Sequence, residues 1–157
     1  MRLYLVHHAN AAGPAVDAQR PLSLRGLAQA AWLAAEARVR GTRPTLIWHS
    51  GKLRSRQTAE QFLRICSPSA AFRAARGLLP TDPTMWMEDA LSLEEQDTLV
   101  VGHFPHLPAL AQVLGASDPL PLNGMIAFER TAPTTYKQQW CLKPPRDLPE
   151  DTNGRLG

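Results

Sequence analysis

The sequence predicts an α/β fold of three layers, with helices on both faces of a mostly parallel central sheet. Three observations carry that expectation. Short runs of large and β-branched residues, at 3–6, 45–48 and 98–101, have the form of strands buried on both faces. Longer stretches of helical spacing stand between them, and strands that alternate with helices give a sheet covered on both sides. The length of 157 residues suits one domain, and 44% hydrophobic with 20% charged residues is ordinary globular composition.

The first apolar run stops abruptly on His7 and His8. A small, polar loop with Gly13, Pro14 and Pro21 follows, over residues 9–21. Ser23 has the chemistry of an N-cap, because its hydroxyl can accept a free N–H of the first helical turn. It opens a helix predicted over 24–40, with Leu27, Ala31, Leu33, Ala34 and Ala35 on the apolar side and Gly41 at the stop. Gly26 falls in the first turn, where its weak helix propensity costs little. Pro44 leads into a strand at 45–48, followed by His49, Ser50 and Gly51. Leu53, Ala59, Phe62 and Leu63 mark a helix over 53–65. Residues 68–83 are mixed, with a short strand at 71–74; a helix over 84–93 then leads to the strand ending at Val101. A helix over 107–114 stops at Gly115, and 125–130 with 135–142 form a closing antiparallel pair. Residues 1–142 make the domain. Residues 143–157, with Pro144, Pro145 and Pro149, have little to bury and are expected to be a flexible tail.

Composition excludes several classes. The two cysteines, Cys66 and Cys141, make no disulfide framework. The N-terminus lacks a signal-peptide apolar region, and no apolar run nears the roughly 20 residues of a membrane span. A soluble, cytoplasmic protein without a membrane partner is expected. The net charge is +3, and the arginines are dispersed without interleaved aromatics, which favours a small anionic group over a nucleic acid. His103 and His106 stand three apart, yet no carboxylate or cysteine is spaced to join them. Neither a metal nor another cofactor is expected.

In open α/β sheets ligands bind beyond the carboxyl ends of the strands. Three strand ends here deliver polar groups to that edge: His7 and His8, then His49 and Ser50 with Arg54 at the next helix start, then His103. A helix N-terminus favours anions, and an arginine there offers a donor fork matched to phosphate oxygens. Imidazoles beside a tetrahedral oxyanion can act as nucleophile or donor. These residue types suit phosphoryl transfer through a histidine.

Four segments carry a family resemblance. Leu5-Val6-His7-His8-Ala9-Asn10 resembles the first-strand signature of the histidine phosphatase superfamily, where Arg-His-Gly or Arg-His-Ala is usual. Arg20-Pro21-Leu22-Ser23-Leu24-Arg25-Gly26 is similar to the start of the first helix in its small members. The run from Ser50 to Ala59, with Arg54, Gln57 and Thr58, resembles the second signature, and Val100-Val101-Gly102-His103-Phe104-Pro105 the third. Order and spacing agree over residues 2–115, and the best fit is to SixA-type phosphohistidine phosphatases. The resemblance implies a phosphoglycerate-mutase-like fold without a lid domain. It makes His8 the nucleophile, with Arg54 and His103 as catalytic partners on the phosphoryl oxygens. It places His7, Asn10 and Arg20 as substrate-binding residues, Asn10 where many members carry an acid.

His7 stands where the superfamily has arginine. The expectation is that a protonated His7, its pKa raised by bound phosphate, partly replaces that cation. The interval from Arg54 to His103 is short and holds no acid motif; Glu88 or Asp89 is the better candidate for a general acid. A phosphate ester needs such an acid for its leaving group, whereas phosphohistidine can leave as neutral imidazole. The expected substrate is therefore a phosphohistidine-bearing protein, of the histidine-phosphotransfer type. Two alternatives stay open: a phosphatase of small phosphate esters, and a non-catalytic phosphate- or phosphoprotein-binding module disabled by His7.

Overall fold

The computed structural model describes residues 1–148. Its elements run β1 (Arg2–His7), α1 (Leu24–Val39), β2 (Leu46–His49), α2 (Leu53–Cys66), β3 (Ala71–Ala74), α3 (Thr84–Ser92), β4 (Thr98–Gly102), α4 (His106–Leu114), β5 (Met125–Ala132) and β6 (Thr135–Leu142). The sheet order is β3-β2-β4-β1-β5-β6. The first four strands are mutually parallel, while β5 and β6 run antiparallel. This is the expected mixed sheet with an antiparallel closing pair. Only boundaries move, by a residue or two.

Alternation along the strands builds the layers, since successive side chains leave opposite faces. Leu3, Leu5, Leu46, Trp48 and Val100 pack with Met87 and Leu91 of α3 and Leu107 and Leu110 of α4. Tyr4, Val6, Ile47, Leu99 and Val101 pack with Leu33 and Ala34 of α1 and Ala59 and Phe62 of α2. Every residue of β2 and β4 is buried, which is why those strands read as unbroken apolar runs.

The caps follow their chemistry. Gly26 N–H donates to Ser23 Oγ at 3.0 Å at the start of α1. Gly115, at φ 105°, ends α4 in the left-handed conformation that glycine adopts freely. Of the tail expected at 143–157, residues 149–157 lie outside the described residues. Before them, the Arg25 guanidinium donates to the Arg146 carbonyl at 3.1 Å.

Register fixes the site. His7 pairs with Gly102 and His49 with Val101, so His8, Ser50 and His103 each emerge one residue past adjacent strand ends.

Candidate active site

The loop after β1 is clamped by side chains from α1 and α2. Ala9 N–H donates to Thr58 Oγ1 at 3.0 Å, and that hydroxyl donates to the Arg54 carbonyl at 2.8 Å. Asn10 N–H donates to Gln29 Oε1 at 2.8 Å, and Leu22 N–H to Gln57 Oε1 at 2.7 Å. Ser55 Oγ accepts from Ser50 N–H and donates to the Val101 carbonyl, tying the loop after β2 to β4. The serine, glutamine and threonine of the second motif therefore position two loops. Gly26 is part of the same arrangement: a Cβ there would stand 1.9 Å from the Asn10 carbonyl oxygen. Its value is close approach, not helix tolerance.

His8 has one ring nitrogen fixed and the other free. Its Nδ1 lies 2.8 Å from the Ala9 carbonyl oxygen, which can only accept, so Nδ1 carries the proton and Nε2 the free lone pair. Burial pushes its pKa down to about 4 against the Ala9 bond, with the charges of Arg54 and Arg20 adding to the fall. At neutral pH His8 is uncharged and its Nε2 is available.

His7 is held as a hydrogen-bond acceptor. Its Nδ1 accepts the Asn123 backbone N–H at 2.8 Å, so that nitrogen holds a lone pair and Nε2–H is the single donor. Burial, then the neighbouring His8, His103 and Arg54, lower it to about 3. With these neighbours alone it is a neutral imidazole. The ring stacks on Phe104 at 4.2 Å and lies 4.4 Å from His8, centroid to centroid.

His103 completes the group, its ring 5.1 Å from that of His8. Ser50 Oγ and His103 Nε2 are 2.6 Å apart. Lys52 N–H donates to the same hydroxyl at 3.3 Å, so Ser50 ties the start of the next helix to the His103 ring. Nδ1 is buried and has no partner among the described residues. Burial and the charges of His8 and Arg54 lower His103 to about 3.

Arg54 carries the charge of the pocket. Its Nε is buried without a hydrogen-bond partner, and no described carboxylate pairs with it. Burial and the nearby Arg20 lower its pKa. Arg20 sits at φ 50°, fixed by a bond from its Nε to the Ala12 carbonyl at 3.0 Å. No carboxylate among the described residues is among the charges that shift His7, His8 or His103. Two cations and three neutral imidazoles without a counter-ion await an anion.

Other expected residues lie elsewhere. Asn10 is exposed, and its Oδ1 accepts from Ser23 Oγ at 2.7 Å, so its side chain braces α1. His49 accepts from Gly51 N–H at 3.0 Å and shapes its own loop. Glu88 faces a groove with Pro133 and Thr134, Asp89 borders both that groove and a cleft beside Trp48, and neither is among the charges that shift His7, His8 or His103. That corrects their candidacy as general acid. Among the described residues no cluster of three or more His, Cys, Asp or Glu could hold a metal, and no helix is long and apolar enough to cross a membrane.

Sequence reasoning missed Asn123. Held at φ 56°, it donates its backbone N–H to His7 and its Nδ2 to the His8 carbonyl at 2.8 Å. The Asn123-Gly124 pair was the available signal, a turn dipeptide that admits positive φ.

No protein-family model matches the chain, and no curated protein matches it in sequence. Solved structures do match in fold. The protein histidine phosphatase SixA complexed with tungstate superposes with a TM-score of 0.79 at 19% identity, covering 92% of this chain and 97% of that one. A structure from Agrobacterium tumefaciens assigned as a SixA phosphohistidine phosphatase gives 0.74 at 25% identity, covering 91% and 97%. The ecdysone phosphate phosphatase of Bombix mori, also with tungstate, gives 0.67 at 13%, covering 92% and 93%. Tungstate is a tetrahedral oxyanion that stands in for phosphate. The fold is that of the SixA-type histidine phosphatases, as the sequence motifs imply, and among the described residues no lid domain interrupts it.

Proposed function

We propose that this protein is a phosphatase that removes the phosphoryl group from a protein phosphohistidine through a covalent intermediate on His8. The observation that carries the reading is the His8 tautomer, with Nδ1–H held by Ala9 and Nε2 free, beside the unpaired Arg54. The Nε2 lone pair attacks phosphorus, and the substrate N–P bond breaks with its electron pair returning to the substrate ring. When the other ring nitrogen of that substrate carries a proton, the leaving group is neutral imidazole. Water then attacks the phosphorus on His8, releasing inorganic phosphate and restoring the free imidazole. Arg54, Arg20 and the His7 Nε2–H, with the His103 ring beside them, are the groups available to charge developing on the phosphoryl oxygens.

The absence of carboxylates from the charges acting on these rings supports an N–P over an O–P substrate. Replacing an arginine fork by one neutral donor lowers the expected rate, by about 10²–10³ if a full transition-state donor is lost. The substrate is proposed to be a soluble, cytoplasmic phosphoprotein.

Hydrolysis of free phosphohistidine, phosphoramidate and p-nitrophenyl phosphate by wild type and His8→Ala tests the reading. Turnover of the two N–P compounds, poor turnover of the ester and loss in His8→Ala are expected. An alkaline quench should trap phosphate on His8. Ester turnover equal to N–P turnover favours the small-ester phosphatase. Tungstate binding without turnover of any compound favours the binding module.

A further inference from the structure

Next to the histidine pocket, on the other side of the loop after β2, lies a second cleft of about 500 Å³. Trp48, Arg73, Arg76, Trp86, Met87 and Asp89 are among its lining residues, with Ala74–Ala75 at its upper end. It adjoins the phosphoryl site through that loop. A Cβ on Gly51 would touch the Ala74 Cβ at 3.9 Å, and Gly51 follows Ser50, which holds His103.

Four features mark the cleft as a recognition surface. First, Arg73 stacks over Trp48 at 5.4 Å and Arg76 over Trp86 at 4.5 Å, and neither arginine forms an ion pair among the described residues. Such stacking restrains the guanidinium planes and leaves their N–H edges to meet carboxylates. Second, Trp48 is only 4% exposed, and its indole N–H has no hydrogen-bond partner among the described residues. The indole is a fixed wall of the cleft on which the Arg73 guanidinium lies. Third, Trp86 and Met85 are exposed, at 41% and 64%. They belong to a wider pattern: apart from Val39, Leu93 and Val113, the large exposed apolar side chains, Phe104 and Leu122 included, sit on segments at the carboxyl edge of the sheet. Apolar exposure concentrated on one end of a molecule marks an interaction surface. Fourth, the same edge carries Arg20, Lys52 and Arg54. Arg56 is paired with Glu60, and Asp89 is the one carboxylate lining the cleft.

We propose that the cleft between β3 and α3 docks an acidic protein surface, with one large apolar side chain against Trp86 and flanking carboxylates on Arg73 and Arg76. The proposal deepens the phosphatase reading and rests on it for the partner's identity: the acidic surface belongs to the phosphorylated protein. β3 is an edge strand with an exposed outer side, so nothing in the described chain blocks a protein from approaching there. Docking outside the reacting centre would supply substrate selectivity that a pocket shaped only for phosphate lacks.

The test separates docking from chemistry. A fluorescein-labelled peptide with one leucine flanked by glutamates, free of phosphate, is titrated against the full chain at low salt. A peptide with lysines for the glutamates and a single-stranded oligodeoxynucleotide of matched charge serve as controls. Wild type should bind the glutamate peptide and not the lysine peptide. The double charge reversal Arg73→Glu with Arg76→Glu, and separately Trp86→Ala, should weaken binding by about tenfold or more, as expected of paired charges and an aromatic anchor. Both should hydrolyse phosphoramidate at the wild-type rate. Binding that survives these changes but is lost in Arg54→Ala overturns the proposal, as does absence of peptide binding. Equal binding of the oligonucleotide, lost in the same variants, overturns a protein partner. Peptide binding intact without phosphoramidate turnover sinks the phosphatase reading and leaves the docking site standing.

Discussion

Acid should destabilise this protein through its histidines, and His7 isolates one contribution. His7 and His103 are 4% and 2% exposed, and burial first holds both at about 3. In the unfolded chain each titrates near 6.5. Between about pH 6.5 and about 3 the unfolded state therefore binds more protons, so stability falls with pH in that window and is insensitive to these groups above it. At pH 5 the unfolded imidazole is almost fully protonated and the folded one is not. Relative to pH 7, that difference costs about 2 kcal/mol per group. His7→Gln deletes one titrating ring while its amide oxygen can still accept the Asn123 N–H. Whatever the substitution costs at pH 7, the variant should lose about 2 kcal/mol less than wild type on going to pH 5. For a chain of this size that narrows the acid drop in unfolding midpoint by roughly 4–8 °C. Urea unfolding at pH 7, 6 and 5, in buffers free of phosphate, reads the slope directly. Parallel curves for the two proteins would mean that His7 titrates normally when folded, and the neutral ring accepting from Asn123 would be refuted.

Gly26→Ala should lower stability by about 1–3 kcal/mol and cut phosphoramidate turnover, because the new Cβ meets the Asn10 carbonyl and must displace the loop that carries His8. A neutral or stabilised variant, as helix propensity alone would give, contradicts that close approach. Asn123→Gly should cost about 1 kcal/mol for the lost bond to the His8 carbonyl, and Asn123→Ala about 1–2 kcal/mol more for a Cβ at φ 56°. Thermal unfolding that ranks glycine no better than alanine rules out the backbone explanation.

The sequence was most legible where signals are local. β1, β2 and β4 stood out because they are buried on both faces, and the Ser23 cap because its partner is three residues away. The candidate site residues His8, Arg54 and His103 could be named because each sits at a strand or helix end that the alternation of elements locates. What stayed hidden depends on contacts far apart in the chain. The Asn123 bonds to His7 and His8 span 116 and 115 residues, and no periodicity reports them. The roles of Gln29, Gln57 and Thr58 emerge only once two helices lie against the loop after β1. The tautomer of His7 stayed hidden for a related reason. Composition shows which group can carry a proton; only the backbone donor facing it shows which nitrogen cannot.

That last point decides what the arginine of the superfamily signature would do in this chain. His7→Arg would supply a permanent cation and a donor fork, so tungstate should bind more tightly. An arginine has no acceptor, however, and the buried Asn123 N–H would lose its partner at a cost of about 1–3 kcal/mol. A third guanidinium would also enter a pocket that already holds Arg54 and Arg20 without a carboxylate. The variant should therefore unfold at a lower temperature than wild type in anion-free buffer. The same saturating tungstate concentration should then raise its midpoint further than it raises that of wild type, because ligand bound only to the folded state stabilises more the tighter it binds. Unchanged stability without anion would show that the Asn123 bond matters little and that His7 is freely exchangeable. A loss that tungstate does not recover would mean that the side chain at position 7 does not face the anion, leaving Arg54, Arg20 and His103 as the whole of the phosphoryl site.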